Sequence, residues 1–130
     1  MFEPSLEDNK LSEDVLNAAF HVHTVLGPGL LEKVYQESLY FVLNKRGLKV
    51  EKEKFLPVDF EGHKIDGGFR LDLLVEDRLI IEIKAVEKII PIHEAQLQTY
   101  LRLSKKHYGL ILNFNTLKLK DGIKRIVMTK

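Results

Sequence analysis

A hairpin-like segment in the second half of the chain restricts the fold more than any other feature. Two apolar, strand-like runs at residues 69–75 and 79–85 flank a short polar turn at residues 76–78, and this pattern predicts an antiparallel β-hairpin. Pairing outward from a three-residue turn sets Asp72 directly opposite Glu82, with Cβ atoms ~5 Å apart on one face of the sheet. The sequence therefore predicts two acidic side chains that face each other within an apolar hairpin.

Lys84 adds a positive charge to this pair, because strand side chains repeat every two residues and Lys84 therefore shares the face of Glu82. The two carboxylates repel each other, and a hard divalent cation such as Mg²⁺ or Mn²⁺ would relieve the repulsion because it prefers oxygen ligands. Lys84 could then orient or help to deprotonate a water, or stabilise charge on a phosphate. The hairpin alone is equally compatible with a solvent-facing ion pair between Lys84 and Asp72 or Glu82.

The composition limits the class of protein. The 130 residues, of which 45% are hydrophobic, suffice for one domain with a core. The 20 basic and 19 acidic residues give a net charge of only +1, so any polyanion has to be held locally. The absence of cysteine excludes disulfides, thiolate zinc sites and cysteine nucleophiles. We expect a soluble, cytoplasmic protein without a membrane segment, because we find no signal-peptide pattern and no apolar run of about 20 residues.

The remaining elements are predicted from helix caps, breakers and apolar periodicity. In chain order they are a polar leader over residues 1–11, a helix capped by Ser12 and ending near Leu26, a helix over 30–46, three or four strands between 48 and 86, a helix over 91–104, a strand over 108–114 and one or two closing strands. The order α-α-β-β-β-α-β-β predicts an α/β or α+β fold around one mixed sheet, with a single domain over residues 12–130.

Two helices carry further polar candidates. A helical wheel places Glu32 at the border of an apolar face and Glu37 on the polar side, and it places Gln96 and Tyr100 inward but Gln98 outward. A carboxylate near a core is costly unless it is paired or metal-bound, so Glu32 is a candidate metal ligand. Gln96 and Tyr100 could together hold a water or a phosphate oxygen. The alternatives are a rim carboxylate paired with a lysine or arginine, and a core tyrosine beside a backbone-bonded glutamine.

The end of the chain is locally basic. Between residues 117 and 130 the charged residues are Lys118, Lys120, Lys124, Arg125 and Lys130 against Asp121 alone. Basic residues that alternate with apolar ones on a strand could contact a phosphate backbone. The same pattern is equally compatible with a solvated strand face.

These residues together resemble the PD-(D/E)XK nuclease superfamily, the restriction-endonuclease-like fold. Within it they resemble the small proteins named for a Gly-x-x-Glu-x-x-Tyr motif, which here is the segment Gly29 to Tyr35. Asp72 followed by Glu82-Ile83-Lys84 is similar to the acidic residue and Glu-x-Lys of the superfamily. The segment from Gln96 to Tyr100 is similar to a Gln-x-x-x-Tyr element of its exonuclease-like branch.

The resemblance implies a central mixed sheet flanked by helices, with Glu32, Asp72 and Glu82 around one or two Mg²⁺ ions. It also implies the backbone carbonyl of Ile83 as a ligand, assistance of the water by Lys84, and positioning of water or phosphate by Gln96 and Tyr100. In some members the exonuclease-like branch carries an iron–sulfur cluster on cysteines, which this chain lacks.

The function expected from the sequence is Mg²⁺-dependent hydrolysis of phosphodiester bonds, in DNA rather than RNA. The alternative is a nucleic-acid-binding or assembly module on the same fold with negligible turnover, and an ordinary interaction domain comes third. Because so small a core has little surface to enclose a duplex, we expect a homodimer or a protein partner.

Overall fold

The computed structural model describes residues 3–128, and its elements follow the predicted order. The helices and strands are α1 Leu6–Leu26, α2 Glu32–Lys45, β1 Val50–Phe60, β2 His63–Val75, β3 Leu79–Lys84, α3 Pro91–Ser104, β4 Tyr108–Asn113 and β5 Ile123–Val127. A short 3-10 helix, Leu119–Gly122, precedes β5. Within residues 3–128 no helix has the length and apolar character needed to cross a bilayer.

The strands form one mixed sheet in the spatial order β1-β2-β3-β4-β5. β3 and β4 are parallel and the other neighbours are antiparallel, so α3 forms the crossover that a parallel pair needs. The helices α1 and α2 pack on one face of the sheet. On the other face lies α3, which buries Leu97 and Leu101 against β2, β3 and β4. The predicted α/β (α+β) fold with a central mixed sheet flanked by helices is confirmed.

The first helix begins earlier than predicted. Ser5, not Ser12, is the N-cap: its hydroxyl accepts a hydrogen bond from the Asp8 N–H at 3.1 Å, and the Asp8 carboxylate accepts one from the Ser5 N–H at 3.0 Å. Arg78 pairs with Asp8 at 2.6 Å and fixes this end to the β2–β3 turn. Ser12 is buried within the helix. The predicted leader therefore includes the first turns of α1, because the reciprocal cap lies seven residues before the predicted one.

A compact connection leads into α2. Gly29 lies in the left-handed region with φ +100°, and α2 begins at Glu32, two residues later than predicted. The Tyr35 hydroxyl donates to the Gly27 carbonyl at 2.6 Å and accepts from the Leu30 N–H at 3.0 Å. Its buried ring stacks on Phe114, with ring centroids 4.7 Å apart. Tyr35 therefore fixes the connection that places Glu32.

Tyr35→Phe is expected to lower the free energy of unfolding by about 1–3 kcal/mol, because it leaves two partly buried backbone groups without their partner. Urea denaturation of both proteins measures this difference. Tyr40→Phe is the matched control, since its hydroxyl makes no hydrogen bond within residues 3–128 and the variant keeps the ring beside Lys52. An equal loss of stability in both variants would show that the Tyr35 hydroxyl has no special role.

Candidate active site

The register of the β2–β3 hairpin is as predicted. Val75 pairs with Leu79 across the turn, so Asp72 stands opposite Glu82. At this position the carboxylates bond to backbone: Glu82 Oε2 accepts from the Asp72 N–H at 3.2 Å, and Asp72 Oδ2 accepts from the Ile83 N–H at 2.9 Å. The side chain of each acid is thus held by a backbone N–H group of the opposite strand.

Both acids are buried. Asp72 is 6% exposed and Glu82 5%, so the alternative of a solvent-facing hairpin is wrong. Burial, followed by the charge of Asp72, raises the pKa of Glu82 to about 8. The charges of Lys84 and Arg70 act in the opposite direction. In the metal-free protein the pair therefore holds a proton near neutral pH.

Arg70 is the ion-pair partner of Asp72, a role that was not predicted from the sequence. Its guanidinium lies 2.9 Å from Asp72 Oδ1 and 3.8 Å from Glu53 Oε1. The ion-pair alternative assigned this role to Lys84. Arg70 could have been found from strand alternation, because a residue two positions from Asp72 on β2 shares its face.

Glu53 connects Arg70 to the second helix. It lies on β1 between Lys52 and Lys54, which pair with Leu73 and Leu71, and its φ of +50° interrupts the extended backbone opposite Asp72. Its carboxylate also accepts from Gln36 Nε2 at 2.7 Å and from Lys33 Nζ at 2.5 Å. This strained backbone conformation directs the Glu53 side chain toward both α2 and Arg70.

The two candidate site residues on α3 differ in their exposure to solvent. The Tyr100 ring is half-buried against Phe69, with centroids 5.0 Å apart. Burial, and then the charges of Glu82 and Asp72, raise the pKa of Tyr100, which places it beside the acids. The Gln96 side chain is exposed and makes no hydrogen bond within residues 3–128, so its predicted inward orientation is wrong. It lies one turn before Tyr100, in the N-terminal half of α3.

Lys84 is the last residue of β3, and Glu32 at the start of α2 lies close to the residue that follows it. Lys84 is half-buried, and its charge lowers the pKa of Glu82, which shows that it lies near the pair. Glu32 is exposed rather than at the border of an apolar face, and its carboxylate accepts a long hydrogen bond of 3.4 Å from the Ala85 N–H. Within residues 3–128 no three acidic or histidine side chains are grouped to hold a metal. Glu32 thus lies near the pair without converging on it.

The basic residues near the end of the chain do not form one surface. Lys124 faces α3, where it pairs with Glu94 at 3.7 Å, whereas Arg125 faces α1 and donates to Ser12 and Tyr108. Lys118 and Lys120 are exposed around the 3-10 helix. These residues do not alternate along one strand, because a 3-10 helix precedes β5 and neighbouring strand residues point to opposite faces. Their contact with a phosphate backbone stays a prediction. Lys130 lies outside the described residues.

Arg70→Gln is expected to strengthen Mn²⁺ binding about tenfold, because the guanidinium bonds Asp72 Oδ1 and repels an incoming cation. Calorimetric titration of Mn²⁺ measures the change, and Arg102→Gln, an exposed arginine on α3, is the matched control for net charge. Weaker binding in Arg70→Gln would show instead that Arg70 holds Asp72 in position for the cation.

The comparisons with known proteins agree on the fold. A model of the PD-(D/E)XK nuclease superfamily matches residues 9–126. A search of curated proteins finds no match. The crystal structure of SSO0001 is similar over 94% of this chain, with a TM-score of 0.54 and 19% sequence identity. This chain spans 60% of that protein, and at such identity the likeness shows the fold alone. The narrower Gly-x-x-Glu-x-x-Tyr assignment stays a prediction.

Proposed function

Because this chain belongs to the PD-(D/E)XK nuclease superfamily, we propose that it hydrolyses phosphodiester bonds of DNA with Mg²⁺ or Mn²⁺ as cofactor. The observation that carries the proposal is the buried pair of Asp72 and Glu82 beside Lys84. Burying two carboxylates together is costly in the metal-free protein, which is why the pKa of Glu82 is raised. A cation held by both acids would remove this cost.

The donor set of the pair fits a hard divalent cation, because carboxylate oxygens are its preferred ligands. Asp72 Oδ2 and Glu82 Oε2 accept backbone N–H groups, so the other oxygen of each acid is the one we assign to the cation. Arg70 then has to leave Asp72 Oδ1. We propose Glu32 and the Ile83 carbonyl as further ligands, and Mg²⁺ commonly keeps several waters in its remaining positions.

Each side chain around the carboxylate pair has a chemical role in the proposed reaction. When bound, the cation would supply Lewis acidity for the attacking water and the phosphate oxygens. The Glu82 carboxyl gives up its proton before it can act as a ligand. The Lys84 ammonium orients the water or stabilises charge that develops on the phosphate. The raised pKa of Tyr100 keeps its phenol protonated, so it can donate a hydrogen bond, and the Gln96 amide is near enough along α3 to hold the same water or phosphate.

Substrate binding in this proposal is local, since the net charge is only +1. Lys118 and Lys120 remain proposed phosphate contacts because they are exposed. Lys124 and Arg125 are each held by a neighbour on a different face. A second copy or a protein partner would supply the additional surface that a duplex requires.

A substrate panel tests the proposed function. Wild-type protein is incubated with single-stranded DNA, double-stranded DNA and RNA, with Mg²⁺ or Mn²⁺ and with chelator, beside Asp72→Ala prepared in the same way. We expect metal-dependent cleavage of DNA that chelator stops and Asp72→Ala lacks. Equal cleavage by the variant would identify a contaminating nuclease and remove the support for this site.

A second candidate function is nucleic-acid binding without turnover. Two observations favour it: Arg70 already neutralises Asp72, and Glu32 does not join the pair. Metal-independent DNA binding, together with no cleavage of any substrate in the panel, would support this candidate over the nuclease.

A further inference from the structure

A cleft lies on the face of the sheet opposite the carboxylate pair. It has a volume of about 530 Å³ and opens between α1 and the ends of β4 and β5, which is within the usual range of small-molecule sites. The α1 residues that line it recur at helical spacing, so they form one stripe. They include Asn9, Ser12, Leu16, Asn17 and Phe20.

Arg125 forms the basic end of this cleft. Its Nη1 donates to the Ser12 hydroxyl at 2.8 Å and to the Tyr108 hydroxyl at 2.9 Å. The Tyr108 hydroxyl donates in turn to Ser12 Oγ at 3.3 Å, and both hydroxyl residues are buried, at 4% and 1% exposure. A side chain held by two buried hydroxyls is fixed in orientation before any ligand arrives.

The charge of Arg125 is not neutralised within residues 3–128, because no carboxylate in that range pairs with it. Its two bonds occupy the Nη1 donors and leave Nε and Nη2 unused. Those two nitrogens form the planar fork that binds a carboxylate or phosphate through two parallel hydrogen bonds. Glu13 also lines the cleft, but Lys10 lies 4.0 Å from its carboxylate and offsets part of its charge. The cleft therefore presents a fixed, unpaired donor for an anion.

The other residues that line the cleft suit a planar organic group. Phe20 is 39% exposed, and with Leu16 it gives an aromatic and aliphatic surface. The side chains of Asn9 and Asn17 are exposed, and neither makes a hydrogen bond within residues 3–128. Their amides can donate to and accept from the edge of a ring.

We propose that this cleft binds a nucleoside monophosphate. Such a molecule combines the three features that the wall recognises: a phosphate for the Arg125 fork, a planar base to stack on Phe20, and polar base edges for Asn9 and Asn17. The site is separate from Asp72 and Glu82, because Arg125 faces α1 and neither acid lines the cleft. The proposal does not depend on nuclease activity.

Nuclear magnetic resonance titration of the full chain with AMP, in chelator, tests the proposal without a mutation. We expect saturable shifts at Ser12, Phe20, Tyr108 and Arg125. Adenosine, which lacks the phosphate, and inorganic phosphate, which lacks the base, should each bind at least about tenfold more weakly. Shifts confined to the region of Asp72 and Tyr100, no saturable binding, or equal affinity for adenosine would overturn the proposal.

A pair of neighbouring variants gives the second readout, by calorimetry with AMP. Arg125→Lys keeps the charge but removes the fork, and we expect affinity to fall about tenfold or more. Lys124→Ala is the matched control, because it lies next on β5 but faces α3, and it should bind AMP as the wild type does. Equal affinity in Arg125→Lys and wild type, or an equal loss in both variants, would contradict a site built on Arg125.

Discussion

Lys84→Ala is expected to reduce the rate of metal-dependent DNA cleavage by about 100-fold or more, which is the loss typical when one preorganised charge-stabilising group is removed. Lys84 stands next to Asp72 and Glu82, the proposed cation-binding pair, and its ammonium is the charge on β3 that is available to the water and the phosphate. Mn²⁺ binding should therefore persist in the variant. Cleavage rates under single-turnover conditions, with a calorimetric Mn²⁺ titration beside them, separate the two effects.

Lys88→Ala is the control for Lys84→Ala, because Lys88 is an exposed lysine in the loop that follows β3. It removes the same charge without touching the pair and should keep nearly the full rate. If both variants lost activity equally, general attraction of DNA would explain the effect. If Lys84→Ala kept full activity, Lys84 would have no catalytic role.

Glu82→Gln is expected to make the metal-free protein more stable than the wild type at alkaline pH. The folded-state pKa of Glu82 is raised from 4.5 to about 8, so the folded protein binds more protons than the unfolded chain between these values. The stability linked to this proton is fully present below about pH 4.5 and is lost as the pH rises through 8. Glutamine stays neutral, and its carbonyl oxygen can still accept the Asp72 N–H.

Urea denaturation in chelator from acidic to alkaline pH measures this difference. We expect the advantage of Glu82→Gln to grow with pH and to reach at most about 5 kcal/mol, since one pKa unit corresponds to about 1.4 kcal/mol. Glu87→Gln, which changes an exposed glutamate after β3, should show no such trend. A difference between Glu82→Gln and wild type that is independent of pH would mean that Glu82 holds no extra proton.

The elements that local sequence signals determine were predicted closely. The three-residue turn fixed the register of β2 and β3, and Pro91 at the first helical position marked the start of α3. The start of α1 was wrong because two polar caps compete in the sequence. The reciprocal bonds between Ser5 and Asp8 favour the earlier one, and the tertiary contact of Arg78 with Asp8, across 70 positions of the chain, holds it in place.

The candidate site was predicted only in part, for a similar reason. The placement of Asp72, Glu82 and Lys84 on one face follows from the turn register and strand alternation, whereas the link from α2 through Glu53 to Arg70 depends on a left-handed residue within a strand. No pattern in the sequence predicts a left-handed backbone conformation at this position. The helical wheel also misplaced Glu32, because a residue at the first position of a helix has no preceding turn to cover it.

The most direct test of the central claim is a calorimetric titration of Mn²⁺ into metal-free wild type and Asp72→Asn at the same neutral pH. The claim is that Asp72 and Glu82 together hold a divalent cation. It predicts saturable binding to the wild type, with release of a proton, and its loss in Asp72→Asn, which removes one of the two charges without changing the shape of the side chain. Equal binding to both proteins, or no binding to the wild type, would contradict it.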